Sequence, residues 1–250
     1  MPNRKSSIFA AERKWFEVFA RTTDQTEIMI YDYIGWGGVT AQDFVAQLQK
    51  IETPHITVSI NTPGGDVFDG LAIYNALKAH KSEVTTRVDG LAASIGSVIA
   101  MAGKTILMAE ASFMMIHNPW GFSMGGAQDM RDMAETLDKV GGILNGVYAS
   151  RSGKSATMIQ GIMDNETWMT AQEAVDAKFA DEMLTSDGKT SASARTQSSV
   201  FDLTAYRNVP KDLSHLDPMQ LHAASIQDGQ KKSAQMRRRL ALVERGAHSR

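Results

Sequence analysis

Between residues 27 and 109 the chain alternates short β-branched stretches with longer helix-like ones, and this alternation most limits what it can fold into. Residues 27–34 (EIMIYDYI) read as a strand, closed by Gly35, Gly37 and Gly38. Thr40 then caps a helix to about Lys50, with Phe44, Val45 and Leu48 inward. His55–Asn61 alternates like a strand, and the turn Thr62-Pro63-Gly64-Gly65-Asp66 leads into a helix over Asp69–His80. Glu83–Val88, Ala92–Ala102 and Thr105–Ala109 repeat strand, helix, strand, with Asp89-Gly90 read as the turn that ends the first of these. Successive strands joined by helices pair in parallel, because only a long crossover returns the chain in the same direction. The expected fold class is therefore α/β.

The remaining segments extend that frame. Ala111–Ile116 is one more apolar strand, closed by His117-Asn118-Pro119. A glycine-containing loop, Trp120–Gly126, precedes a long helix from about Gln128 to Ser150. Along it Met130, Met133, Leu137, Val140, Leu144 and Val147 form a seam that needs a partner surface, in the core or on another subunit. Ser155–Met163 reads as a short helix, and Thr170-Ala171-Gln172-Glu173 as a capping box opening another helix to about Lys178. Residues 1–24 are expected to form an N-terminal arm, with a loosely amphipathic helix over 6–20. Residues 185–199 hold eight Ser or Thr in fifteen and read as a linker. Residues 200–250 form a basic, weakly patterned tail, expected to be largely disordered or helical.

Composition excludes several function classes. A net charge of −2 predicts no general attraction to nucleic acid or to a membrane surface. With no cysteine, disulfides and thiolate metal sites are ruled out. No apolar run reaches the roughly 18–20 residues of a membrane span, and the N-terminus is broken by charges unlike a signal peptide. A cytoplasmic location is expected.

The chemistry centres on Ser94. It lies just past a strand and at the start of a small-residue helix, where free N–H groups and the positive end of the helix dipole are found. A hydroxyl there can act as a nucleophile, with the Ile95 amide stabilising an oxyanion; packing alone would also account for a small residue. A serine nucleophile needs a base, and of the six histidines only His117 ends an apolar strand, where open α/β sheets place their sites; a histidine there would also serve a purely structural role. Asp164 and Glu166 stand before a capped helix, and either could orient His117. Pro63-Gly64-Gly65 lets backbone approach a ligand, so that the Gly65 amide could pair with that of Ile95. No Gly-Lys-Ser/Thr follows, which weakens a phosphate-loop reading.

The runs INTPGGDV, GLAASIGS, MMIHNP and ETWMTAQEA, in that order, resemble the Clp-type serine peptidases over about residues 25–184. The details GWGGVTAQDF, VFDGLAIYNAL and IHNPWG are similar to the Clp-like head maturation proteases of tailed phages and prophages. The resemblance implies a crotonase-like spiral of ββα units with a protruding handle helix at the Met130–Val147 seam. It implies Ser94 as nucleophile, His117 as base, and Gly65 and Ile95 as oxyanion amides. The third triad place, usually aspartate, holds Glu166, with Asp164 as the fallback. Substrate would lie beside Gly64, Gly65, Trp120 and Gly121, and neither metal nor cofactor is implied. Family members form heptameric rings. Substrates expected from the phage branch are scaffold and capsid proteins, in the host cytoplasm or prohead. Residues 1–24 and the tail lack counterparts in the housekeeping peptidase, which speaks against dependence on an AAA+ unfoldase. The rival readings are a housekeeping-type Clp subunit serving such an unfoldase, an acyl-CoA-binding or non-catalytic crotonase-fold protein, and a Ser–Lys dyad enzyme.

Overall fold

The computed structural model describes residues 14–35, 39–185 and 201–211. Residues 14–35, 39–185 and 206–208 belong to one unit, and 201–205 with 209–211 to a second. In the second, Asp202 Oδ1 accepts from the Thr204 amide at 3.0 Å.

The first unit is a mixed α/β structure built on an eight-stranded sheet, in keeping with the expected fold class. Strands β1 (Phe16–Ala20), β2 (Gln25–Tyr31), β3 (His55–Thr62), β4 (Glu83–Ala93), β5 (Thr105–Ala109) and β8 (Glu182–Leu184) lie in that order. Strand β6 (Phe113–Ile116) joins β4, and β7 (Thr167–Thr170) joins β6. The central pairs β2–β3, β3–β4, β4–β5 and β4–β6 are parallel, as the alternation predicts. Helices α1 (Ala41–Leu48), α2 (Val67–Ala79) and α3 (Ile95–Ala100) follow β2, β3 and β4. The alternating residues Ile28, Ile30, Val58, Ile60, Thr86 and Val88 are buried, which gives the sheet one closed face.

Three expectations are corrected and one strand is added. Residues 16–20 form strand β1, not part of a helix, and pair antiparallel with β2. Trp15 and Phe16 are drawn into the core against Phe44, with Trp15 stacked on it at 6.1 Å and 10°. The rest of the expected arm, residues 1–13, lies outside the described residues, as do 37, 38, 186–200 and 212–250. Secondly, Asp89-Gly90 does not end β4. Tyr31 Oη and Arg87 Nε both donate to the Asp89 carboxylate at 2.5 Å, and Leu91 N donates to Asn61 Oδ1 at 3.1 Å. Tertiary bonds thus hold an intrinsically turn-prone pair extended, and the strand runs on to Ala93. Thirdly, the helix expected over Ala92–Ala102 begins at Ile95, because Leu91–Ala93 pair with β6. In addition, residues 167–170 form strand β7, which the sequence reading passes over.

Helix α4 (Ala127–Ser152) packs only part of its seam into the core. Val140, Leu144 and Tyr148 are buried, whereas Met130 is 43% exposed and Met133 and Leu137 are only partly covered. The buried end reaches the site through Tyr148. Ser97 Oγ gives its one proton to the Ser94 carbonyl at 2.7 Å, so the Tyr148 hydroxyl donates to Ser97 Oγ at 2.8 Å. Tyr148→Phe leaves Ser97 satisfied and should cost about 1 kcal/mol of stability by denaturant titration. A loss above about 3 kcal/mol would mean that the hydroxyl holds more than this bond.

Candidate active site

Sheet register alone brings four segments to one end. In the parallel β4–β6 pair Ala93 faces Met115, so Ser94 and His117 leave adjacent strands at their carboxyl ends. In the antiparallel β6–β7 pair Ile116 faces Thr167, which sets Glu166 beside the exit of His117. On the other side Thr62 faces Ala92, and Pro63-Gly64-Gly65 turns past Ser94. A methyl group on Gly64 would stand 2.8 Å from Ser94 Cβ, so the backbone passes as close as it can.

Ser94 adopts φ 55° and ψ −128°, a conformation that side chains with a Cβ rarely take. Its amide is tied to the Met115 carbonyl at 3.0 Å, which fixes the bend between strand and helix. The bend turns the hydroxyl toward β6, and His117 Nε2 lies 2.7 Å from Ser94 Oγ. His117 is 9% exposed.

The glycine turn has its own lock. Thr62 Oγ1 donates to the Asp32 carbonyl at 2.6 Å and accepts from Gly64 N at 3.1 Å. Gly65 pairs with Ile34 in a parallel bridge in which Ile34 N bonds Gly64 O and Asp66 N bonds Ile34 O. In such a bridge the flanking residues make the bonds, leaving the Gly65 N–H directed to the other side. The Gly64 amide is spent on Thr62, and Gly65 offers the donor. Asp66 then caps α2, accepting from Phe68 N and Asp69 N, both at 2.9 Å.

A serine hydroxyl on an imidazole nitrogen, at a strand-to-helix bend next to a glycine turn, is the apparatus of nucleophilic acyl transfer. A family described as Clp protease matches residues 10–187. The chain belongs to the Clp protease family. The ATP-dependent Clp protease proteolytic subunits of Streptococcus pneumoniae strains Hungary19A-6 and CGSP14 are each 38% identical to it over 153 residues, spanning 58% of this chain and 78% of theirs. It is a serine peptidase, a hydrolase of peptide bonds.

In this Clp-family chain the two candidate carboxylates are sorted by their surroundings. Glu166 is 3% exposed, sits at φ 45°, and its charge pulls the His117 pKa upward. Asp164 is exposed and its Oδ1 accepts from Asn118 Nδ2 at 2.7 Å and Gln160 Nε2 at 2.8 Å, bonds that lower its pKa. Burial outweighs Glu166 at His117, and with Arg207 it leaves the imidazole below the usual histidine value. Of the substrate-side residues, Gly64 adjoins Ser94 and Gly65 lies against the Ile34 backbone, whereas Trp120 is 68% exposed and Gly121 lies against Met133 and Leu137 of α4.

Sequence reasoning missed Thr62, Trp168 and Tyr206. Thr62 carried a signal, since a threonine hydroxyl before Pro-Gly can close its own turn. Trp168 Nε1 lies 3.4 Å from Glu166 Oε1, and its place follows from β7, which is too short to read. Among the described residues no group of three or more His, Cys, Asp or Glu is arranged for a metal ion, and no helix is long and apolar enough to cross a membrane.

Proposed function

We propose that this chain is an ATP-independent serine endopeptidase that cleaves scaffold and capsid proteins during phage head maturation. The observation that carries the chemistry is the 2.7 Å contact between Ser94 Oγ and His117 Nε2. Oγ attacks the substrate carbonyl carbon while its proton passes to Nε2, and the Gly65 and Ile95 amides receive the developing oxyanion. The intermediate collapses, the C–N bond breaks, and the leaving amine takes the proton from Nε2. Water then repeats these steps on the acyl-enzyme, with Glu166 orienting the imidazole and stabilising its cationic form. The exposed apolar half of α4 supports assembly into homo-oligomeric rings, heptameric by family resemblance. Sedimentation of the full chain should give an oligomer, and a monomer at micromolar concentration would contradict this part.

The head-maturation assignment is supported by GWGGVTAQDF and IHNPWG and by the long segment after residue 184. Its test is co-expression with the scaffold and capsid proteins encoded by the same replicon. Ser94-dependent truncation of the scaffold is expected. Intact scaffold and capsid beside rapid cleavage of small peptides would overturn it. A second reading, a proteolytic subunit serving an AAA+ unfoldase, is favoured by the likeness to the ATP-dependent Clp protease proteolytic subunits of Streptococcus pneumoniae. ATP-dependent degradation of a folded substrate with the host unfoldase would select that reading.

The acid limb of the pH profile follows from His117. Only the neutral ring accepts the Ser94 proton, so kcat/KM rises with pH through the pKa of the free enzyme. Burial lowers that pKa, so the half-maximum is expected below 6.5, the ordinary histidine value. A half-maximum above 6.5 would contradict burial as the dominant cause. The same depressed pKa contributes stability above about pH 6.5 that is lost as the pH falls through the folded value.

A further inference from the structure

Tyr206-Arg207-Asn208 belongs to the first unit and lies against Pro63, Ser94, His117 and Glu166. The Tyr206 hydroxyl donates to the Pro63 carbonyl. Its ring stands edge-on to His117, 5.4 Å between centroids at 79°, and to Trp168, 5.8 Å at 76°. Burial pushes the phenol pKa up, and the Ser94 hydroxyl beside it pulls it partway back. The Asn208 N–H donates to Glu166 Oε1 at 2.7 Å, and its side-chain amide donates to the Asn165 carbonyl at 2.7 Å. The Arg207 charge adds to the downward pull on His117.

Three of these contacts engage groups the reaction uses: the rim of the glycine turn, His117 and Glu166. The Pro63 carbonyl stands at the rim of the glycine turn, where an extended substrate would pair by main-chain hydrogen bonds. The phenol occupies that acceptor, and the ring fills space beside Ser94 and over His117. A buried carboxylate without hydrogen bonds is costly, and here the Asn208 amide supplies one. Among the hydrogen bonds of the described residues, none joins Glu166 to the His117 ring, and Glu166 Oε1 instead accepts from the Asn208 N–H at 2.7 Å and, more weakly, from Trp168 Nε1 at 3.4 Å. The aromatic ring, the main-chain amide and the cation fit the cleft as a bound peptide would.

We infer that Tyr206-Arg207-Asn208 is an intramolecular ligand of the catalytic cleft, which a peptide substrate must displace before Ser94 can react. This rests on the peptidase reading above. Substrate then meets only the fraction of molecules with the cleft open, and its apparent affinity falls by that fraction.

The test uses the full chain and two substitutions outside the catalytic groups. Tyr206→Ala removes the ring and hydroxyl, and Asn208→Pro removes the N–H given to Glu166. The rate of Ser94 labelling by a fluorophosphonate probe is followed, with amide exchange of the 206–208 segment measured in parallel. Both variants should label at least about tenfold faster than the parent. In the parent, the Asn208 amide should be protected until Ser94 is phosphonylated and should exchange freely afterwards. Ser94 labelled at the parental rate in both variants, or an Asn208 amide unprotected in the parent, overturns the inference while leaving the peptidase reading intact. No labelling of Ser94 in the parent or either variant overturns the peptidase reading, and the inhibition with it.

Discussion

Ser94→Ala is expected to abolish peptide hydrolysis, lowering kcat by about five to six orders of magnitude, while the fold and the oligomer stay as they are. The size follows from the mechanism. The serine supplies the bond-forming atom, and without it the imidazole and the amide pair can only assist water. Stability should hardly move. The hydroxyl lies against His117 Nε2 and the Tyr206 phenol, both lining the cleft rather than in the core, and the positive φ of 55° strains alanine about as much as serine. Rates on a fluorogenic peptide, read beside thermal melting and sedimentation, separate the two effects. A variant that keeps more than about a hundredth of the parental rate would show that another group attacks the carbonyl.

Gly65→Ala should be the most damaging single methyl group in the site. A Cβ there would stand 2.1 Å from the Ile34 carbonyl oxygen and 2.7 Å from its amide nitrogen, both backbone atoms that cannot swing aside. The residue also sits at φ 151°, in the region that favours glycine. Overpacking and backbone strain together predict a loss of about 3–5 kcal/mol. Relief can come only by moving the turn away from Ile34, and that turns the Gly65 N–H from the oxyanion position. One lost oxyanion donor lowers kcat by about a hundred- to a thousandfold in whatever protein still folds. Denaturant titration and kcat on the folded fraction are the measurements. Parental stability would mean that the Ile34–Gly65 bridge is easily broken.

How much of this could be read in the sequence depends on the range of the forces involved. The parallel sheet was legible, because alternating periodicities are local and leave few ways to pair. The approach of Ser94 and His117 was legible for a related reason: both end apolar strands, and parallel strands end together. Glu166 was harder. It comes beside His117 through the antiparallel pairing of β6 with β7, and Thr167–Thr170 is too short to announce a strand. Asp89-Gly90 misled because a local turn preference lost to bonds from Tyr31 and Arg87. Trp15 and Phe16 read as part of a helix, yet β2 offered an unpaired edge and Phe44 an aromatic face. The seam of α4 had the right period throughout, but period does not say where along a helix the core stops. Tyr206 gave no signal at all. It stands with Phe201 in a short, weakly patterned segment, and only its contacts with Pro63, His117 and Trp168 set it apart.

The central claim is that one hydroxyl, driven by one imidazole, does the chemistry. Adduct mapping tests it most directly: the full chain and its His117→Ala variant are treated with a fluorophosphonate, digested and read by mass spectrometry. A single adduct on Ser94, formed about a hundred- to ten-thousandfold more slowly without His117, is the predicted result. An adduct on any other residue, or equal labelling of Ser94 in both proteins, would contradict it.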